Sequence, residues 1–249
     1  MPVVLLHGFP LNRSMWSELA AALAPRYRVV TPDLRGHGET AVTDEPATME
    51  EMADDLAALL DELRIERALV GGLSMGGYVT LAFCRKYPER VLGVVLADTR
   101  ATADNEEGRR TREETARRAL EEGMGPVADA MMPKLLAPAT LEHRPEVVAR
   151  VREMILGTEP RGAAAALRGM ALRRDQTDLL PRLRVPSLVI VGSEDSLTPP
   201  SEAEAMRGLM HGSRLAVLDG AGHASNLERA EEFGRALREF LDGLGDWGN

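Results

Sequence analysis

The chain has 249 residues, 44% of them hydrophobic, enough to bury a large core in one α/β domain carrying an insertion. Its 30 Lys and Arg against 39 Asp and Glu give a net charge of −9, a balance that gives nucleic acid and anionic membranes no footing as partners. The single cysteine, Cys84, excludes an intramolecular disulfide framework and offers no metal cluster.

The chain opens on Met-Pro-Val-Val, without a basic segment or a small-residue cleavage site, and no apolar run approaches the roughly 20 residues that span a bilayer. A cytoplasmic protein is the expectation. Residues 3–6 then begin a series of short runs rich in valine and leucine, continued at 28–31, 68–70, 91–97, 187–191 and 214–218. Most lack polar alternation, as strands buried on both faces of a parallel sheet do.

Helical patterns separate these strands. Met49, Met52, Ala53, Leu56, Leu59, Leu60 and Leu63 share one helical face behind Thr48-x-x-Glu51, a capping box. Residues 78–85 form a helix ending before Pro88, with Cys84 as a buried small hydrophobe in it. Thr198-Pro199-Pro200 opens another helix, and Asn226 can cap the last, striped by Leu227, Phe233, Leu237, Phe240 and Leu241. Strand and helix in alternation with short links predict right-handed crossovers and a parallel sheet.

The alternation fails between about residues 102 and 183, which read as three to five helices. The expected organisation is therefore an α/β core at 1–101 and 184–249, interrupted by a helical lid at 102–183. Met124, Met131, Met132, Met154 and Met170, with Leu135, fall in this lid, and flexible thioethers suit a loosely specified apolar pocket or plain packing. Arg100, just before it, could meet a substrate carboxylate or stand solvated at the hinge.

Gly72-Leu73-Ser74-Met75-Gly76 fits G-x-S-x-G between a strand and a helix. A serine at the tip of such a turn takes a strained backbone that lifts its hydroxyl into the cleft, and glycines two residues to either side keep the turn clear. The turn also aims the Met75 amide at a developing oxyanion, at the start of a helix whose dipole helps. A serine needs a base, and the base an acid to fix its tautomer. Of the histidines after Ser74, His143 lies in the lid and His211 at a helix end, whereas His223 follows a strand among small residues. Asp195, beyond the next-to-last strand, is favoured as the acid, with Asp98 its competitor; Asp219 braces its own turn. The second oxyanion amide is expected from Phe9, in the loop after the first strand, where Gly8 lets the backbone approach. His7 and His37 are expected to pin their loops.

Together "LLHGFPLNRSMW", "PDLRGHGET", "GLSMGGY", "VGSEDSLTPP" and "GAGHASNLE" resemble the α/β-hydrolase superfamily, most closely its 3-oxoadipate enol-lactonase and small carboxylesterase branch. The resemblance implies Ser74 as nucleophile, Asp195 as acid, His223 as base, and Phe9 and Met75 amides as oxyanion hole, with no metal or cofactor. Members commonly carry two strands ahead of the one that opens this chain. Here the sheet is accordingly expected to have about six strands, all parallel, with an open edge that could favour a homodimer. The expected activity is hydrolysis of short-to-medium acyl or aryl esters or lactones. The same residues could instead serve perhydrolase, haloperoxidase-like or carbon–carbon hydrolase chemistry, or a ligand receptor without turnover.

Overall fold

The computed structural model describes residues 1–43 and 46–244. The six apolar runs form one sheet: β1 (Pro2–Leu6), β2 (Arg28–Val30), β3 (Ala68–Leu73), β4 (Val91–Ala97), β5 (Ser187–Gly192) and β6 (Arg214–Leu218). Every neighbouring pair is parallel, in the order β2-β1-β3-β4-β5-β6, as expected from the sequence. β3, β4 and β5 are buried at every residue, which is why their sequences do not alternate, whereas β2 and β6 are half-exposed edges. A cleft of about 760 Å³ lies between the segment that follows β2 and the helical residues 52–59, with Val30, Pro32, Leu34, Met52 and Leu56 in its walls.

Helices α1 (Ser17–Leu23), α2 (Met49–Glu62) and α3 (Met75–Lys86) connect the first four strands. α2 starts on the expected capping box: the Thr48 hydroxyl accepts the Glu51 N–H, and the Glu51 carboxylate accepts the Thr48 N–H at 3.0 Å. Between β4 and β5 stand five helices, α4 (Glu106–Glu122), α5 (Met124–Leu135), α6 (Pro138–His143), α7 (Pro145–Leu156) and α8 (Pro160–Ala171). α9 (Pro200–Leu209), α10 (Ser225–Glu228) and α11 (Ala230–Asp242) complete the chain. Asn226 does not cap the last helix. It lies inside the short α10, donating from Nδ2 to the Met15 carbonyl at 3.0 Å, and Arg229 stands at the start of α11. A cap must stand at the entry to its helix, and here that entry falls three residues later, at Arg229.

The chain leaves β1 toward β2 on one side, then crosses back to build β3 to β6 on the other. Strand order thus reverses between β1 and β3, and the loops after these two strands diverge from one crevice at the C-terminal sheet edge. The loop after β1 begins at His7; the turn after β3 is Ser74.

The helical insertion is held close to this edge by backbone contact. A Cβ on Gly162 would stand 2.0 Å from the Gly36 carbonyl oxygen, and one on Gly169 would stand 1.7 Å from that of Ala47. Thr158 Oγ1 donates to the Pro10 carbonyl at 2.8 Å. At the root of the insertion the buried Asp104 carboxylate gathers three arginines. Arg173 approaches to 2.6 Å, Arg100 donates at 2.9 Å, and Arg112 bonds the second oxygen. Arg173 also lies 4.3 Å above the Tyr78 ring of α3. Burial would raise the Asp104 carboxyl, but the bonds from Arg173 and Arg112 hold it well below the usual carboxylate range. Arg100 is therefore the partner of Asp104, neither a solvated hinge nor a free cation. Removing Asp104 leaves buried guanidinium charge uncompensated, so Asp104→Ala is expected to cost about 3–5 kcal/mol. Thermal unfolding should report it as a drop in Tm of roughly 2–4 °C per kcal/mol.

Candidate active site

Ser74 sits at φ 55°, ψ −112°, in the region that favours glycine, between the last residue of β3 and the first of α3. The turn is pinned where it leaves the sheet. Ser74 N–H donates to the Ala97 carbonyl at 2.9 Å, and the Ser74 carbonyl accepts from Thr99 Oγ1 at 2.8 Å. The flanking glycines are needed for closeness. A Cβ on Gly72 would stand 2.2 Å from the Gly76 carbonyl carbon, and one on Gly76 would stand 2.3 Å from the Leu6 carbonyl oxygen of β1. The helix thus begins jammed between two strands. Among the described residues no hydrogen bond takes the amide N–H of Met75 or of Phe9.

The loop bearing Phe9 is fixed by His7, as expected. His7 Nε2 accepts the Leu34 N–H at 2.8 Å, so Nδ1 carries the proton and donates to the Gly8 carbonyl at 3.0 Å. Burial, and next the neighbouring His37, lower the His7 pKa to about 3 and keep it neutral. His37 likewise donates from Nδ1 to the Arg35 carbonyl at 3.1 Å, and burial lowers it to about 4. Neither is poised for proton transfer near neutral pH.

At the ends of β5 and β6 the loops bring Asp195 and His223 together: Nδ1 of the histidine lies 2.8 Å from Oδ2 of the aspartate. Asp195 Oδ1 accepts the N–H groups of Leu197 (2.8 Å) and Thr198 (2.9 Å), and Oδ2 accepts the Thr198 hydroxyl at 2.7 Å. Burial raises this carboxyl, but His223 and then Thr198 outweigh burial and hold it below the usual range. Among the described residues no hydrogen bond joins Ser74 Oγ to His223. Such bonds are commonly long until substrate tightens them.

Asp98, the competing acid, is also close but differently engaged. Wholly buried at φ 43°, it accepts the Gly192 N–H at 2.9 Å and bonds the Ser225 hydroxyl, making no bond to a histidine. Burial, then the nearby Asp195 charge, push its pKa well above the usual carboxylate value. A raised native pKa means that the folded state binds the extra proton, so stability falls as pH rises from the unfolded value of about 3.9 toward the folded one. Asp98→Asn imitates the protonated form. Its unfolding free energy, read from urea titrations at a series of pH values, should therefore decline less than the parent's as pH rises above about 3.9.

His143 is exposed at the end of α6 and His211 is exposed beyond α9, both away from the Asp195 carboxylate. Of the pocket candidates, Met124, Leu135 and Met154 are buried on α5 and α7, and Met131 is half-buried on α5. Cys84 is buried and its thiol is pushed up to about 12, as a structural residue's would be. Sequence reading missed Thr198, taken only as the start of a helix, and Ser225 and Glu228, whose partners lie far away in the chain. The Thr-Pro-Pro run does open α9, but the same threonine serves the carboxylate three residues earlier.

Comparison with known proteins agrees with this fold. The family described as the alpha/beta hydrolase fold matches residues 1–230. A thermophilic esterase from Thermogutta terrifontis, solved with malate bound, is 46% identical with a TM-score of 0.96, over 98% of this chain and 90% of that one. The enol-lactonase from Burkholderia xenovorans LB400 is 33% identical with a TM-score of 0.90, over 97% of this chain and 91% of that one. The 3-oxoadipate enol-lactonase 2 of Acinetobacter baylyi is 30% identical over 239 residues, 96% of this chain and 88% of that one. The chain belongs to the α/β-hydrolase family, in the branch that holds enol-lactonases and esterases.

Proposed function

We propose that this protein is a serine hydrolase cleaving carboxylic esters through an acyl-enzyme intermediate. The observation that carries the reading is the buried Asp195–His223 pair, 2.8 Å apart, at the same sheet edge as a serine held at positive φ. Because Asp195 accepts from Nδ1, the proton of neutral His223 sits there, and Nε2 is left as the proton acceptor. Ser74 Oγ attacks the ester carbonyl as Nε2 takes its proton, and the tetrahedral oxyanion forms against the Phe9 and Met75 amides at the head of α3. Nε2 then returns the proton to the leaving alcohol. Water, deprotonated by the same nitrogen, attacks the acyl-serine and releases the acid.

The helical insertion serves as the lid, and α5 and α7 supply its apolar wall through Met124, Met131, Leu135 and Met154. Such a wall suits short-to-medium acyl or aryl esters and lactones, in keeping with the names of the esterase and enol-lactonase relatives. The test is labelling by a fluorophosphonate probe together with hydrolysis of p-nitrophenyl acetate and butyrate. Labelling lost in Ser74→Ala supports the reading. Folded protein that neither labels nor hydrolyses either ester would sink it.

A further inference from the structure

Glu228 closes α10, five residues beyond His223, and is 2% exposed. Among the described residues no ion pair accounts for so deep a carboxylate. It is instead held by backbone amides from two turns, one near in the chain and one far from it. Oε1 accepts the N–H of Gly222, the residue before His223, at 2.8 Å. Oε2 accepts the N–H of Ala137, 91 residues away in the link between α5 and α6, also at 2.8 Å. The Thr140 side chain of α6 stands beside it, and the Glu228 carbonyl accepts from Arg144 Nη1 at 2.9 Å. Around this carboxylate the two turns touch backbone to backbone. Ala224 N–H donates to the Leu135 carbonyl at 2.8 Å, and a Cβ on Gly222 would stand 2.6 Å from the Ala137 nitrogen.

We propose that Glu228 is a positioning residue that couples the helical insertion to the histidine loop, so that the seating of α5 and α6 sets where His223 stands. The inference rests on the reading of His223 as the base. The physical requirement is an acceptor on both oxygens. Two N–H donors approach from opposite turns, and only a carboxylate satisfies both at once. Glutamine satisfies one and confronts the other with its own NH₂, leaving a buried donor unpaired and pushing the turns apart. Burial raises the Glu228 carboxyl, and the Thr140 hydroxyl, then the Ala137 and Gly222 amides, counter that rise. A displacement of the base by a fraction of an ångström is felt directly in turnover, and a displacement of α5 alters the wall that receives the acyl chain.

Coupling therefore predicts two linked changes, which a role in folding alone does not. In Glu228→Gln, kcat per titratable serine should fall by about tenfold to a hundredfold. The ratio of kcat/KM for p-nitrophenyl hexanoate over acetate should shift at least threefold in the same variant. Thr140→Val, which leaves the carboxylate and both amides in place, should shift that ratio in the same direction with a smaller loss of kcat. Normalising to serines titrated by a fluorophosphonate removes any misfolded fraction. A Glu228→Gln enzyme with parental kcat per serine and parental chain-length ratio overturns the proposal. If Glu228→Gln does not fold, an unchanged ratio in Thr140→Val overturns it. His223→Gln, measured alongside, separates the two levels: retained turnover there defeats the assignment of the base, whereas its loss with an unaffected Glu228→Gln defeats only the coupling.

Discussion

Ser74→Ala is expected to lower kcat for p-nitrophenyl acetate by about 10⁴-fold or more, since a base and an oxyanion hole without a nucleophile retain only a small part of the catalysis. The fold should be unchanged, because the hydroxyl is not what holds the turn: the Ser74 backbone is bonded through Ala97 and Thr99. The strain at φ 55°, ψ −112° gives a second, independent readout. A non-glycine residue there costs of order 1–3 kcal/mol, whereas glycine adopts it freely but loses about 0.4–1 kcal/mol through unfolded-chain entropy. Ser74→Gly should therefore be inactive yet more stable than Ser74→Ala by about 1 kcal/mol, visible as a higher midpoint in urea. Equal midpoints would mean that the turn stores no strain at rest. Undiminished ester hydrolysis in both variants would move the nucleophile elsewhere.

Much of this arrangement could be read from the residues, because burial and turn chemistry leave local marks. Strands buried on both faces lose polar alternation, so all six were legible, and the Thr48–Glu51 box marked its helix start within four residues. Ser74 was legible for the same reason: strain and close approach demand glycines at fixed offsets. β3 nevertheless runs on through Gly71 and Gly72 to Leu73, where glycines suggested that the strand had ended. Their cause is tertiary, since a Cβ on Gly71 would stand 2.7 Å from that of Val95 in the adjoining strand. What could not be read is what depends on distant partners. The arginines of Asp104 come from positions 100, 112 and 173, and the two amides on Glu228 come one from within the insertion and one from the histidine loop. Asp98 and Asp195 both follow strands and look alike in sequence. Position beyond the next-to-last strand favours Asp195, and their partners, a serine hydroxyl for Asp98 and a histidine nitrogen for Asp195, set them further apart.

That distinction yields the second large effect. In Asp195→Asn the side chain keeps one oxygen, which the Leu197 and Thr198 amides claim, as they claim Oδ1 in the parent. The NH₂ group then takes the place of Oδ2 and faces His223 Nδ1 as a donor. Nδ1 must accept, so the imidazole proton moves to Nε2, the nitrogen proposed to take the proton from Ser74. A base in the wrong tautomer costs about 10⁴-fold in kcat with little change in substrate binding. KM for p-nitrophenyl butyrate should accordingly stay within a few-fold of the parent value. The stability change has a defined sign. Asp195 titrates below its unfolded value of about 3.9, so its stabilisation is complete above that value and is lost as pH falls through the lower folded one. Asn cannot supply it, and the variant should lose less stability than the parent on acidification below pH 4. Asp98→Asn is the control that decides between the two carboxylates. If Asp195→Asn stays within tenfold of the parent in kcat while Asp98→Asn collapses, the acid is Asp98, and the 2.8 Å bond from Asp195 to His223 is structural only.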